Sequence, residues 1–295
     1  MDSLAFDLKN LALQNGDGSH TTKMQRHRGL QLIARELASM GYKLPSAKSL
    51  KEKHIKALVG RWQAAGLSTG TLKNRMSWVR WWAGSVRRGS VVTGHNDAYE
   101  IASRATWKGN KAHATTGNLL QSLPDWMQNA VKLQMAFGLR LEESLKFRPD
   151  VADQGDCLTL KASWCKGGRG RSVPVTHPRQ RALLDAVREA TGGASVIPLG
   201  VSYIQARKAM ERATWGAGIR NMHGHRHWYA QWRYQALLGT PSPAAGGKTY
   251  EQMSRDERAA DYRTRLTISR ELGHNRVEVT DAYLGRRFAV KARAE

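Results

Sequence analysis

Apolar residues recur at three- and four-residue spacing along most of this 295-residue chain, and only one stretch changes to strict alternation. A period near 3.6 buries one stripe of a helix, whereas a period of two buries one face of a strand. Such a chain must build its core from packed helices and can add only a small sheet. Leu30, Ile33, Leu37 and Met40 mark an amphipathic helix over 22–41, closed by Gly41. Ser49 is placed to cap a second helix carrying Leu50, Ile55, Leu58 and Trp62 up to Gly66. Ser68 or Thr69 opens a third through Leu72, Met76, Val79 and Trp82. Further on, the pattern predicts helices over 123–137, 141–147, 179–191, 202–215 and 225–238. Between the second and third of these, Leu158 and Leu160 alternate with Thr159 and Lys161, KGGRGRS turns the chain, and Val173 and Val175 resume, which predicts a hairpin. GTPSPAAGG predicts a mobile loop, and Leu266, Ile268 and Leu272 lead a last helical region to LGH and then 277–284. The expected fold class is mostly α with a small β-sheet (α+β), without internal repeats.

The segment TWKGNKAHATTGN loses periodicity and becomes polar and glycine-containing, as a linker does. It predicts a helical domain over 1–108, a linker over 109–118 and a mixed domain over 119–295. The 47 Lys and Arg outnumber the 24 Asp and Glu, and the net charge of +23 attracts polyanions, with nucleic acid as the leading partner. No apolar run approaches the roughly 20 residues of a membrane span, and the first residues lack a secretory pattern, so a cytoplasmic protein is expected. Cys157 and Cys165 read as free thiols. In the third helix Lys73, Arg75 and Arg80 interleave with Trp78, Trp81 and Trp82, and Arg87 and Arg88 follow. The tryptophans read as core, and the cations as phosphate contacts.

Chemistry concentrates in the second domain. GLRLEE puts Arg140 at the mouth of a helix, where its planar fork can hold two oxygens of one phosphate; alone, it would read as a surface ion pair. Lys166 sits at the glycine-rich turn, from which a hairpin tip could carry its ammonium to DNA; alone, it would read as a solvated lysine. MHGHRHWYAQW sets His223 and Arg226 three residues apart at a helix start, so both can point to one place. His223, His225 and His227 also admit a metal-cluster reading, which is disfavoured because no cysteine or acidic helper lies nearby in sequence. LGHNRVEVTDAY places Tyr283 nine residues after His274, roughly two and a half turns if helical. A lone tyrosine there would read as packing.

Taken together, GLRLEE, CKGGRGRSVPV, HGHRH and LGHNRVEVTDAY resemble in order the signature of the tyrosine recombinases, the phage-type integrases. The resemblance spans about 119–288, while the N-terminal third resembles the family's core-binding domain in size, helicity and charge. It implies a catalytic domain in which Tyr283 attacks a DNA phosphate to give a 3′-phosphotyrosyl intermediate. Lys166 would protonate the leaving 5′ oxygen, Arg140 and Arg226 would clamp the phosphate, His274 would donate a hydrogen bond, and His223 would assist removal of the tyrosine proton. Glu143 would orient its neighbours. Arg169 and Arg171 join Lys73, Arg75, Arg80, Arg87 and Arg88 as expected DNA contacts. The resemblance further implies no metal or other cofactor, double-stranded recombination sites as substrate, a homotetramer on paired sites, accessory DNA-bending proteins, and a prokaryotic nucleoid or mobile-element setting. Two departures stand out: His225 replaces a usual apolar residue, and the stretch from Arg226 to His274 is long, with the excess around 239–263. A type IB topoisomerase-like relaxer and a DNA-binding protein without catalysis remain the alternatives.

Overall fold

The computed structural model describes residues 3–102 and 109–288, divided into two compact units, Met1–Ala105 and Thr106–Glu295. The first unit contains helices α1 (Ser3–Gln14), α2 (His20–Ser39), α3 (Glu52–Ala64) and α4 (Thr69–Ser85). Leu4, Leu8, Leu30, Ile33, Leu37, Leu58, Trp62, Val79 and Trp82 form its core. Ser19 and Ser68 cap α2 and α4 by accepting from the Thr22 and Thr71 amides. Ser49, expected to cap α3, instead ends a 3-10 turn over Ala47–Ser49, and Lys51 occupies the cap position. The expected core reading of the interleaved tryptophans holds fully for Trp82, while Trp78 and Trp81 are half-buried against the core. Trp82 is fully buried and donates to the Ala47 carbonyl at 2.9 Å, and Trp62 donates to Glu36 at 2.7 Å. Gly29 is required where α2 meets α4, because a Cβ there would lie 2.1 Å from the Trp78 ring.

The second unit contains α5 (Gly117–Gln121), α6 (Asp125–Phe137), α7 (Leu141–Leu145), α8 (Pro149–Ala152), β1 (Cys157–Leu160), β2 (Arg171–Pro174), α9 (Pro178–Thr191), α10 (Tyr203–Gly216), α11 (Gly224–Leu238), α12 (Arg255–Glu271) and α13 (Asp281–Leu284). β1 and β2 pair antiparallel, with Leu158 opposite Val173 and Leu160 opposite Arg171. The mostly α fold with a small sheet is therefore as expected. α6 and α11 pack together at the centre, where Val131, Leu133 and Phe137 meet Tyr229, Ala230 and Tyr234, joined by Ile268 and Leu272 of the α12 end.

Three expectations change. Residues 109–118 are no free linker: they belong to the second unit, Thr115 is buried against His225, and Asn110 exchanges hydrogen bonds with Gln231. Residues 103–108, the rest of that expected boundary, lie outside the described residues. The loop expected to be mobile is packed, since Ser242 is fully buried and a Cβ on Gly247 would lie 1.9 Å from the Pro241 carbonyl oxygen. The last helix also starts early, at Arg255, capped by Ser254 and Glu257.

Candidate active site

Arg140 is positioned by the end of α6. Gly138 takes φ +60°, and a Cβ there would lie 2.5 Å from the Tyr229 ring, so the chain turns tightly over α11. This turn sets Arg140 at the cap of α7. Its amide donates to Glu143 at 2.7 Å, and its guanidinium donates to the other Glu143 oxygen at 2.8 Å and to the Leu272 carbonyl at 3.3 Å. Glu143 is fully buried. Burial alone would raise its pKa, but the hydrogen bonds and charge of Arg171, followed by those of Arg140, overcome it and hold the carboxyl at about 2. Arg171 binds Glu143 through two nitrogens, each at 2.7 Å, and the Glu271 carbonyl at 2.7 Å. Its side chain is only 5% exposed, so Arg171 is not the surface DNA contact expected but the buried counter-ion of Glu143.

Arg226 is buried on α11 and donates to the carbonyls of Gly138 and Leu272. Two helix ends, those of α6 and α12, meet on one guanidinium, which burial pulls down to a pKa of about 10 and leaves charged at neutral pH. The Leu272 carbonyl thus receives both arginines of the site. His225 points away from them. It bonds Thr115 at 2.8 Å and packs on the His113 ring at 4.9 Å, so the alternating histidines share no ligand face. Among the described residues no three His, Cys, Asp or Glu side chains are grouped as metal ligands. Gly224 admits the 109–116 segment, because a Cβ there would lie 2.1 Å from the His113 ring.

The segment from His274 to Tyr283 is not one helix. Gly273 and Asn275 take positive φ, a 3-10 turn spans Val277–Thr280, and α13 then turns Tyr283 inward. Its hydroxyl lies 3.4 Å from His223 Nε2 and 3.5 Å from His274 Nε2, while Arg226 lies 3.4 Å from His274. His227 packs its ring 4.6 Å from the Tyr283 ring. Burial, together with nearby cations, Arg226 first, pulls His223 and His274 down to about 4. Burial, followed by His223 and Lys111, does the same for His227. All three imidazoles are therefore neutral near pH 7 and can accept a proton or, as the opposite tautomer, donate one.

Buried polar contacts hold this segment from both sides of the tyrosine. Arg265 is fully buried; it binds both oxygens of Asp261 at 2.8 Å, Asp281 at 3.3 Å and the Gly285 carbonyl at 2.9 Å. Arg287 adds a bond to Asp281 at 2.9 Å, and Gln231 donates to the Tyr283 carbonyl at 3.0 Å.

The structure thus brings together Arg140, Glu143, His223, Arg226, His274 and Tyr283, but not Lys166. Lys166 and Arg169 are exposed in the turn between β1 and β2. In the first unit, Arg75 is held by Glu36 at 2.8 Å over the Trp62 ring, and Arg80 by the Thr93 carbonyl and Asn96, each at 2.9 Å. Both serve internal bonds rather than the open phosphate contacts expected. Lys73 is half-buried, and Arg87 and Arg88 are exposed. Three further residues at the site carry little sign of it in the sequence. Lys111 lies in the expected linker, close enough to depress His223 and His227. In the sequence His227 reads only as a possible metal ligand, and nothing there distinguishes Arg265. The i, i+4 spacing of His223 and His227 was the one available signal.

Residues 1–89 match the family model described as "Phage integrase, N-terminal". No curated protein matches. Among solved structures, the chain is similar to a lambda integrase dimer bound to a COC′ core site, with 16% identity, TM-score 0.62 and coverage of 98% of this chain and 79% of that one. A lambda integrase tetramer bound to a Holliday junction matches with 18% identity, TM-score 0.56 and coverage of 79% and 70%. The XerH site-specific recombinase in a post-cleavage complex on a palindromic difH substrate matches with 17% identity, TM-score 0.54 and coverage of 95% and 80%. The chain thus has a fold similar to that of these DNA-bound integrases and recombinases, and its first 89 residues match a phage-integrase N-terminal domain. Among the described residues no helix is long and apolar enough to cross a membrane.

Proposed function

We propose that this chain is a site-specific DNA recombinase that cuts and rejoins strands through a covalent bond between Tyr283 and a 3′ phosphate. The observation that carries this reading is the Tyr283 hydroxyl set between two neutral imidazoles, 3.4 Å from His223 and 3.5 Å from His274, beside the Arg226 guanidinium. In the proposed step the tyrosine oxygen attacks phosphorus in line, the new O–P bond forms, and the bond to the 5′ oxygen breaks. The tyrosine proton passes to His223, and Lys166 gives a proton to the departing oxygen. Arg140 and Arg226 offset the charge gathering on the non-bridging oxygens, a role worth on the order of 10² to 10³ in rate per donor. His223 holds a proton weakly, first because it is buried and then because Arg226 and Arg140 face it. A phosphodiester anion seated among them offsets that field and raises its basicity.

Lys166 stands on an exposed turn, so it acts once DNA seats against the hairpin. Because the intermediate keeps the phosphoester, a 5′ hydroxyl from a second duplex can reverse the attack, and strand exchange needs no nucleotide cofactor. The similarity to a recombinase solved as a tetramer on a Holliday junction supports a tetramer on paired sites here. A tail docking on a neighbouring protomer is part of the same reading, and its residues from 289 onward lie outside the described residues.

Tyr283→Phe tests the chemistry. On a nicked duplex that traps cleavage, the unaltered protein should form a covalent protein–DNA species in EDTA, and the variant should bind without forming it. An adduct persisting in the variant would assign the nucleophile elsewhere. Joining to a second duplex, rather than relaxation alone, separates recombination from topoisomerase activity.

A further inference from the structure

The first unit carries a concentration of positive charge that the Tyr283 chemistry does not use. After α2 the chain turns at Gly41, and the turn into α3 walls a cleft of about 680 Å³. Lys43, Lys48, Lys51 and Lys53 line it, Arg88 closes it from beyond the end of α4, and the buried His54 ring forms part of its wall. That wall is fixed: His54 Nδ1 accepts from the Lys51 amide at 3.1 Å, and its ring meets the Tyr42 ring edge-on at 5.0 Å. Among the described residues no acid lines the cleft. Glu52, between two of these lysines in sequence, turns to Lys56 at 2.7 Å instead. The crowding registers on His54, whose pKa is lowered by burial, then by Lys53 and Lys51.

Five cations converging on a concave wall repel one another and focus their field into the cleft, so the arrangement gains free energy when an anion enters it. Ammonium groups and a guanidinium suit the oxygens of a phosphate. We propose that this cleft is a phosphate-binding site of the first unit, taking either a phosphate of a nucleic-acid backbone or a compact free polyphosphate. The backbone source deepens the DNA-binding half of the function proposed above and rests on it, but not on the chemistry at Tyr283.

The test uses the full chain with Lys48→Gln, Lys51→Gln and Lys53→Gln combined, against a control of equal charge loss at exposed positions outside the cleft, Lys9→Gln, Arg35→Gln and Arg61→Gln. All six side chains are exposed, so both triples should keep the thermal midpoint of the unaltered protein. Affinity for a fluorescent duplex is measured by anisotropy across a salt series, and pyrophosphate binding by calorimetry. Each backbone phosphate contact contributes about 0.9 to the slope of log affinity against log salt, so a backbone site predicts a slope lower by roughly two to three in the cleft triple than in the control. Pyrophosphate binding that the control keeps and the cleft triple loses, with equal duplex slopes, identifies a free polyphosphate. Equal slopes in the two triples together with no pyrophosphate binding overturn the proposal. Adduct formation by the cleft triple at saturating duplex keeps this result separate from the fate of Tyr283.

Discussion

Glu143 places an ionised carboxylate inside a site suited to a phosphate, where it would repel its ligand if it stood alone. Two guanidiniums surround it, at 2.8 and 2.7 Å, so the local charge stays positive and the acid orients the cations it neutralises in part. Removing one partner of such a buried set leaves the other charges uncompensated, and Glu143→Ala should lose about 3–5 kcal/mol. Urea unfolding followed by circular dichroism measures this, and an unchanged midpoint would remove Glu143 from the framework of the site. At this scale the residue types were legible. Arg140, His223, Arg226, His274 and Tyr283 all stood in recognisable short contexts. The task of Arg171 was not, because an arginine after a glycine-rich turn reads as solvated until its partner, 28 residues away, is known.

At the scale of elements, the long stretch before His274 is where the chain does most to place Tyr283. The 3-10 turn Pro243–Ala245 packs under Gly285, whose Cβ would lie 2.9 Å from Pro243, and α12 supplies Arg265 to Asp281 and to the Gly285 carbonyl. Tyr283 is therefore braced two residues to either side. Asp281→Ala should loosen α13 while leaving the cations of the site in place. Covalent adduct should then form more slowly, on the order of 10²-fold for a misplacement near 1 Å, with duplex affinity held. Equal losses of rate and affinity would mean that the brace is general stability instead. Helices with clear apolar stripes were legible here to within a few residues, namely α2–α4, α6, α7 and α9–α11, whereas the short α5 and α8 were not. α1 was not, although Leu4, Leu8 and Ala12 are its buried residues, because Asp and Lys among single apolar residues masked the stripe. The path from His274 to Tyr283 was also illegible, since the left-handed Asn275 and the 3-10 turn Val277–Thr280 break the helix that the spacing allowed.

For the whole molecule, protons and salt are the natural controls. His223, His225, His227 and His274 are each held at about 4 from an ordinary 6.5, in every case by burial first. The unfolded chain thus binds more protons between these values. Stability should be fully present above about pH 6.5 and should be lost as pH falls toward 4. Thermal midpoints from pH 7 to 4.5 measure the slope. His225→Leu should flatten it, since that ring is fully buried and faces Thr115 and His113 rather than Tyr283. A slope unchanged by this substitution would assign the acid sensitivity to other groups. The sequence by itself determined a mostly helical chain with one hairpin, a surplus of positive charge, and the order of the residues proposed to handle phosphate. Those follow from periodicity, composition and side-chain chemistry, which are local properties. Only the tertiary structure decided that the expected linker packs on α11, that Arg171 turns inward, and that Tyr283 meets two neutral histidines. Each of these depends on partners distant in sequence, up to the 132 residues between Arg140 and the Leu272 carbonyl, and on burial, which no short segment specifies.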